Sequence, residues 1–312
     1  MNNKHSKIFL AGHRGLVGSA IQRRLEKGGY TNLILRTHSQ LDLTRQTDVE
    51  DFFEKERPEI VILAAAKVGG IVANSTYPAD FLTENLSIAL NVIRAAFLSK
   101  VTKLINLGSS CIYPKLAPQP MKEEYLLTGP LEVTNEAYAV AKIAAIRLCK
   151  HFNDQYGTNF ISAMPTNLYG PGDNYDLTTS HVLPAMVRRL HEGKLKGGPV
   201  VLWGDGSPFR EFLYSDDLAD AVVYLLENKN YSDVGEFINV GSGKEISIRR
   251  LAELIAKVVG YTGEIRWDTG KPNGTPRKLM DSERLFRLGW TPRIELEEGL
   301  QLVYQDYLRS LE

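Results

Sequence analysis

Cysteine is nearly absent from this chain: Cys111 and Cys149 are the two in 312 residues. They could pair only with each other, so the disulfide framework of a secreted scaffold is excluded, and a reducing, cytoplasmic compartment is the expectation. Net charge is missing too. Thirty-seven Lys+Arg balance 37 Asp+Glu, without the basic excess that nucleic-acid binding usually brings; a local cationic pocket remains compatible with that balance. Long apolar runs are also lacking. IVILAAA at 60–66 is the longest, far short of the roughly 18 residues of a membrane helix. The opening stretch MNNKHSKIFLAGHRG has no apolar middle of the signal-peptide kind. No nucleic-acid partner, no membrane and no metal are therefore expected.

What is present is a regular alternation. KIFLAG (7–12) predicts a strand running into a glycine turn, and Leu16 to Lys27 a helix closed by Gly28-Gly29. NLILR (32–36), EIVILAAA (59–66), KLINLGSS (103–110) and NFISAMPT (159–166) read as further strands; 46–56, 80–99 and 135–156 read as helices. EIVILAAA is apolar throughout, as a parallel strand covered on both faces should be. Repeated strand–helix–strand units predict an α/β fold: a doubly wound, Rossmann-like parallel sheet with ligands at the strands' carboxyl ends, and a smaller mixed α/β lobe. The boundary is expected to be discontinuous. Residues 1–171 plus about 211–241 form the dinucleotide-binding part, and 172–210 plus about 242–312 the lobe that covers the sheet edge.

Gly12, Gly15 and Gly18 give G-x-x-G-x-x-G between the first strand and the first helix. Glycines permit a tight turn and close backbone approach, and the helix N-terminus offers amides to a pyrophosphate. The whole loop, Gly12, His13, Arg14, Gly15, Leu16, Val17 and Gly18, is the candidate cofactor cradle. The second strand ends in Arg36 where NAD-binding sites usually carry an acid. Arg36 and Arg14 suit a 2′-phosphate, so NADP(H) is the expected cofactor, unless both are ordinary solvated arginines.

Tyr138 and Lys142 stand four apart on a predicted helix and so share a face. A nearby ammonium favours the phenolate and makes the phenol a better proton donor to a carbonyl oxygen. Such a pair also occurs by chance on helix surfaces. Ser109, at the end of a predicted buried strand, makes the combination more telling. Cys111 lies two residues beyond it; read by itself, it is as well explained as a small core filler. Cys149, in mid-helix, reads as structural.

Glycine loop, serine and Tyr-x-x-x-Lys together with PTNLYGP (165–171), REFLYSDDLADA (210–221), NVGSGKEISI (239–248) and KPNGTPRKLMDSERLFRLGWTP (271–292) identify a resemblance. The chain resembles the nucleotide-sugar branch of the extended short-chain dehydrogenases/reductases along nearly its whole length. GSSCIYPKLAPQPMKE, PTNLYGPGDN and SHVLPAMVRR narrow the resemblance to members that convert GDP-4-keto-6-deoxy-D-mannose to GDP-L-fucose. The resemblance implies inversion at carbons 3 and 5, then NADPH-dependent reduction of the 4-ketone. It implies Cys111 as carbon base, His181 as acid, and Ser109, Tyr138 and Lys142 as the reductase group. It also implies cofactor contacts from Leu107, Gly108, Pro165, Thr166, Asn167, Leu168, Tyr138, Lys142 and His181. Arg189, Trp203, Arg210 and Asp281 are the implied substrate-binding residues, and a homodimer the implied assembly. Read alone, Arg188 and Arg189 could be a solvated helix face, and Arg210 an ion pair with Glu211. The rivals are a simple 4-ketoreductase, a 4-epimerase, a 4,6-dehydratase, or a non-catalytic NADP-binding scaffold. The Ser109-Ser110-Cys111 run stands where a dehydratase of this kind usually has Thr-Asp-Glu.

Overall fold

Alternation inside the first strand shows why a sheet occupies the middle of the molecule. In β1 (Ile8–Ala11) all four residues are buried; Ile8 and Leu10 pack to one side, Phe9 and Ala11 to the other. Only a strand covered on both faces has that pattern. The computed structural model describes residues 3–271 and 273–312. From β1 the chain runs through α1 (Leu16–Lys27), β2 (Leu33–Ile34), α2 (Gln46–Glu56), β3 (Ile60–Leu63), α3 (Ile71–Thr76), α4 (Pro78–Leu98), β4 (Lys103–Leu107), α5 (Glu136–Tyr156) and β5 (Phe160–Pro165). It continues with β6 (Asn167–Tyr169), α6 (Val182–Lys196), β7 (Val200–Trp203), β8 (Phe209–Tyr214), α7 (Ser215–Asn228), α8 (Tyr231–Val234) and β9 (Ile238–Val240). Last come β10 (Glu245–Ser247), α9 (Ile248–Val259), β11 (Ile265–Asp268), β12 (Arg277–Lys278), α10 (Glu283–Arg287) and α11 (Leu296–Arg309).

The main sheet is parallel, in the order β2-β1-β3-β4-β5-β9. The strand order reverses between β1 and β3, and that switch opens a crevice at the carboxyl ends. α1 and α7 cover one face, with Ile21, Leu25, Leu218 and Val222 buried against it. α2, α4 and α5 cover the other, with Val49, Phe53, Val92 and Cys149. By length and composition α4 could cross a membrane. Here it packs along α5, and Asp80 and Arg94 on it are exposed.

A smaller sheet is built around β8. β10 pairs with it antiparallel, β12 runs parallel beside Phe209 and Arg210, and β6 runs parallel beside Phe212 to Tyr214. α6, α9 and α11 close a third core with Leu190, Leu251 and Val303.

Two expectations need adjustment. The predicted strand 103–110 forms ladder bonds only to Leu107; Ser110–Ile112 is a 3-10 turn, so Ser109 stands beyond the strand. NLILR contributes only Leu33 and Ile34 to the sheet, because its neighbour β1 pairs with it at just two positions. The short helix α3, in the loop after β3, has no counterpart in the sequence reading.

Candidate active site

The glycine loop is dictated by crowding. Gly12 has φ +87°, and a Cβ there would stand 2.7 Å from the Ala65 amide nitrogen. A Cβ on Gly18 would meet the Gly12 carbonyl oxygen at 2.0 Å. Any side chain would push the loop off the sheet. The first turn of α1 has no side-chain cap and no acid, so its amide end is open to an anion. His13 Nδ1 is buried without a hydrogen-bond partner among the described residues, a further group that a bound ligand would satisfy. The cradle thus fits a dinucleotide pyrophosphate. Leu16 and Val17 are half-buried behind it; Leu16 reaches 3.4 Å from where a Cβ on Gly170 would be.

The two arginines differ. Arg14 is exposed. Arg36 is half-buried, with Nη2 on Glu56 at 2.7 Å, Nη1 donating to the Leu35 carbonyl at 2.9 Å, and its guanidinium 5.6 Å from the Phe52 ring centre. Arg36 is therefore not the free surface cation that its sequence position suggested.

Beyond β4, Gly108 packs so closely that a Cβ would stand 2.0 Å from Met164 Sδ. Ser109 then caps the 3-10 turn, its Oγ accepting from the Cys111 amide at 3.4 Å. Cys111 is 7% exposed. From α5, Lys142 Nζ donates to the Leu107 carbonyl at 2.8 Å and lies 5.6 Å from the Tyr138 ring centre. Phe81 packs edge-on against Tyr138, centroids 6.5 Å apart. Ser109, Cys111, Tyr138 and Lys142 thus converge where β4 ends.

The electrostatics are set by desolvation. Burial, and then the Cys111 sulfur, push the Tyr138 phenol well above its ordinary range. Burial brings Lys142 down to about 8. The sequence argument placed the ammonium in control of the phenol; here burial outweighs it, and Tyr138 is a neutral proton donor at pH 7. Burial also raises the Cys111 thiol, opposed in order by the Lys278 ammonium, the Ser109 hydroxyl and Lys142.

His181 stands at the N-cap of α6. The Thr179 and Ser180 carbonyls before it approach Gly70 in the loop after β3, which brings His181 to the carboxyl edge of the main sheet. The residue is exposed, yet the crowded cleft around its ring and the Lys278 charge hold its imidazole below the usual range. Pro165 ends β5, and Thr166 and Asn167 hydrogen-bond the Glu211 carbonyl at 3.4 and 2.8 Å. Leu168 follows in β6, packed against the apolar cluster under α1 and α7.

On the lobe side, Arg210 donates to the Phe209 carbonyl at 2.8 Å, and burial lowers its pKa. Its neighbour Glu211 is fully buried and accepts backbone N–H groups of Gly243 at 2.8 Å and Met280 at 3.0 Å. The alternative Arg210–Glu211 ion pair does not form among the described residues. Arg188 is taken by Glu192 at 2.9 Å, whereas Arg189 is half-buried and, among the described residues, has no ion pair. Trp203 is 53% exposed, with the Lys271 ammonium 5.5 Å from its ring centre. Asp281 accepts the Glu283 amide at 3.0 Å in the first turn of α10. The sequence reading passed over Lys278. It lines a cavity with Ser110, Cys111 and Glu132, a place that only the pairing of β12 with β8 creates.

A family model, the NAD dependent epimerase/dehydratase family, matches residues 8–241. GDP-L-fucose synthase 1 of Arabidopsis thaliana is 60% identical over 312 residues, 100% of this chain and 96% of that protein. Among solved structures, a GDP-6-OMe-4-keto-L-xylo-heptose reductase from C. jejuni superposes with TM-score 0.95 at 38% identity, covering 99% of both chains. A GDP-L-fucose synthetase from Naegleria fowleri bound to NADP superposes with TM-score 0.91 at 27% identity, over 100% of this chain and 96% of that one. The family match spans well over half of a chain with this sheet and this glycine cradle, and the chain belongs to the NAD dependent epimerase/dehydratase family, the extended short-chain dehydrogenases/reductases, with GDP-L-fucose synthases among its full-length relatives.

Proposed function

We propose that this chain converts GDP-4-keto-6-deoxy-D-mannose to GDP-L-fucose, inverting carbons 3 and 5 and then reducing the 4-ketone with NADPH. The observation that carries the reading is a thiol, Cys111, set beside Ser109, Tyr138 and Lys142 at one strand end. A ketone held by the Ser109 and Tyr138 hydroxyls acidifies the neighbouring C–H bonds. The Cys111 thiolate takes one proton, and the electron pair moves onto the carbonyl oxygen, where the two hydroxyls stabilise it. His181 returns a proton to the opposite face. Resting thiol plus neutral imidazole hold the same number of protons as thiolate plus imidazolium, so a single proton shift arms the pair. NADPH, when bound in the glycine cradle, supplies the hydride for carbon 4. Tyr138, kept protonated by burial, donates to the alkoxide as it forms.

Arg14 and Arg36 beside the cradle support the phosphorylated cofactor; among the described residues Arg14 has no ion pair, whereas Arg36 is held by Glu56. Arg189, Arg210, Trp203 and Asp281 are the proposed contacts to the GDP-sugar. The two lobes are the proposed homes of cofactor and sugar nucleotide, with the bounds given by the sequence. Free thiols at both cysteines fit a cytoplasmic setting. Exposed Leu90 and Leu98 on α4, with Val140 and Tyr156 on α5, support a homodimer joined through these helices; a monomer by light scattering at working concentration would refute it.

The likeness to a GDP-6-OMe-4-keto-L-xylo-heptose reductase at 38% identity makes a simple 4-ketoreductase the second reading. Cys111→Ser separates the two. Deuterium uptake from heavy water at carbons 3 and 5, and GDP-L-fucose formation, should collapse. Exchange persisting at the parental rate would make Cys111 a core filler. A parent protein that reduces a GDP-ketosugar without any exchange would favour the simple reductase.

A further inference from the structure

Lys278 is fixed in the cleft from two directions. β12 pairs with β8 in a register that sets Lys278 opposite Arg210. The residues after it are zipped to the segment that follows Cys111. The Met121 amide donates to the Leu279 carbonyl and the Asp281 amide to the Met121 carbonyl, both at 2.8 Å, and the Leu279 amide donates to Gln119 Oε1 at 2.8 Å. The strand that carries Lys278 and the loop that carries Cys111 are therefore one backbone unit, and both side chains line the same cavity.

Lys278 is half-buried and, among the described residues, its side-chain ammonium makes no hydrogen bond and no ion pair. Glu132, a carboxylate lining the same cavity, is held by Lys115 at 3.0 Å. An unpaired ammonium away from water is costly, and such a group suits a place where negative charge develops during a reaction.

We propose that Lys278 is a positioning residue for the epimerisation half of the reaction, its ammonium holding negative charge on the Cys111 sulfur. The inference rests on the function proposed above. In each inversion the thiolate takes the proton from carbon, and the C–H pair becomes a carbon–carbon double bond while the carbonyl pair moves to oxygen. The imidazolium then gives its proton to carbon, the pair returns from oxygen, and the ketone reforms. The couple is reset when Cys111 loses its proton to solvent and His181 takes one from it. A positive charge near both groups favours the deprotonated form of each, so the cysteine is a more available base and the histidine a stronger acid. Both effects of Lys278 are present, and on Cys111 it outranks Ser109 and Lys142. The other titratable and charged groups lining this cavity are Tyr113, Lys115, Glu132 and Arg277, with Lys115 paired to Glu132 and Arg277 to Glu245 at 2.7 Å. Tyr138 and Lys142 from α5, His181 from the start of α6 and Arg210 from β8 act on Cys111 or Lys278 from the adjoining cleft. Burial, the largest influence, lowers the Lys278 pKa and Arg210 lowers it further, while Cys111 and Glu132 favour its charge.

The test is Lys278→Met, with Lys278→Arg beside it. The first readout needs no sugar substrate: alkylation of Cys111 by iodoacetamide across pH, followed by peptide mass spectrometry. In Lys278→Met the pH midpoint should rise by about one unit, which makes alkylation at neutral pH about tenfold slower. Lys278→Arg should keep the parental midpoint. An unchanged midpoint in the Met variant overturns the proposal, and so does an equal shift in both variants.

The second readout compares half-reactions. Deuterium uptake from GDP-4-keto-6-deoxy-D-mannose should fall about tenfold in Lys278→Met, following the lost thiolate. Hydride transfer in reverse, from GDP-L-fucose to NADP+, should keep its parental kcat. Equal losses in both, with a raised KM for the sugar nucleotide, would assign Lys278 to the diphosphate and overturn the proposal. If the parent neither exchanges nor turns over while the alkylation midpoint still shifts, the proposed function fails and the Lys278–Cys111 coupling stands.

Discussion

Lys142→Met isolates the cost of keeping an ammonium inside the cleft. Lys142 is 8% exposed, and burial brings its pKa from 10.5 to about 8. That depression, about 2.5 units, corresponds to about 3 kcal/mol against the charged form. Methionine keeps most of the apolar stem and removes the charge. It also removes the 2.8 Å hydrogen bond to the Leu107 carbonyl, a loss of about 1 kcal/mol. At pH 7 the variant should therefore be more stable than the parent by about 2 kcal/mol. The pH dependence has a definite sign. The folded chain releases this proton near pH 8 and the unfolded chain near 10.5, so in between the unfolded chain binds more protons and parental stability rises with pH. The variant lacks that rise, and its advantage should fall by about 3 kcal/mol across the window, ending as a deficit of about 1 kcal/mol. Lys103, which burial also brings down to about 8, titrates in both proteins and cancels in the difference. Urea unfolding without cofactor at pH 7, 8, 9 and 10 measures the gap. A pH-independent gap would refute the reasoning, as would a variant less stable than the parent at pH 7. The same variant should reduce the ketone roughly 100-fold more slowly, the usual scale for a lost proton-transfer partner.

Two further outcomes follow from neighbouring residues. Glu211→Ala leaves the Gly243 and Met280 amides without their acceptor and should cost about 2–5 kcal/mol in thermal or denaturant unfolding; a loss under about 1 kcal/mol would mean the loops re-pair elsewhere. Arg14→Leu should weaken NADPH about tenfold and leave NADH unchanged by fluorescence titration. Equal weakening of both cofactors would place Arg14 on the shared pyrophosphate instead of the 2′-phosphate.

The sequence by itself determined the parallel sheet, the glycine cradle and the Tyr138–Lys142 face. Each is a local pattern. An apolar run fixes a strand covered on both sides, a missing Cβ fixes a loop against the sheet, and a four-residue spacing fixes neighbours on a helix. Leu16–Lys27 and Gln46–Glu56 came out at their expected ends, because glycines and a proline punctuate them. The α3 helix and the turn at Ser110–Ile112 were not legible, being too short for periodicity to mark.

The tertiary structure decided which charges are free. Arg36 and Arg14 look alike in the sequence, but Glu56 occupies one and leaves the other exposed. Arg188 and Arg189 divide the same way through Glu192. Burial, not the adjacent lysine, sets the Tyr138 proton. Lys278 reaches Cys111 across more than 160 positions because two strands pair and a loop zips onto one of them. Charge pairing and desolvation depend on distances between residues remote in the chain, and only the folded backbone supplies those distances.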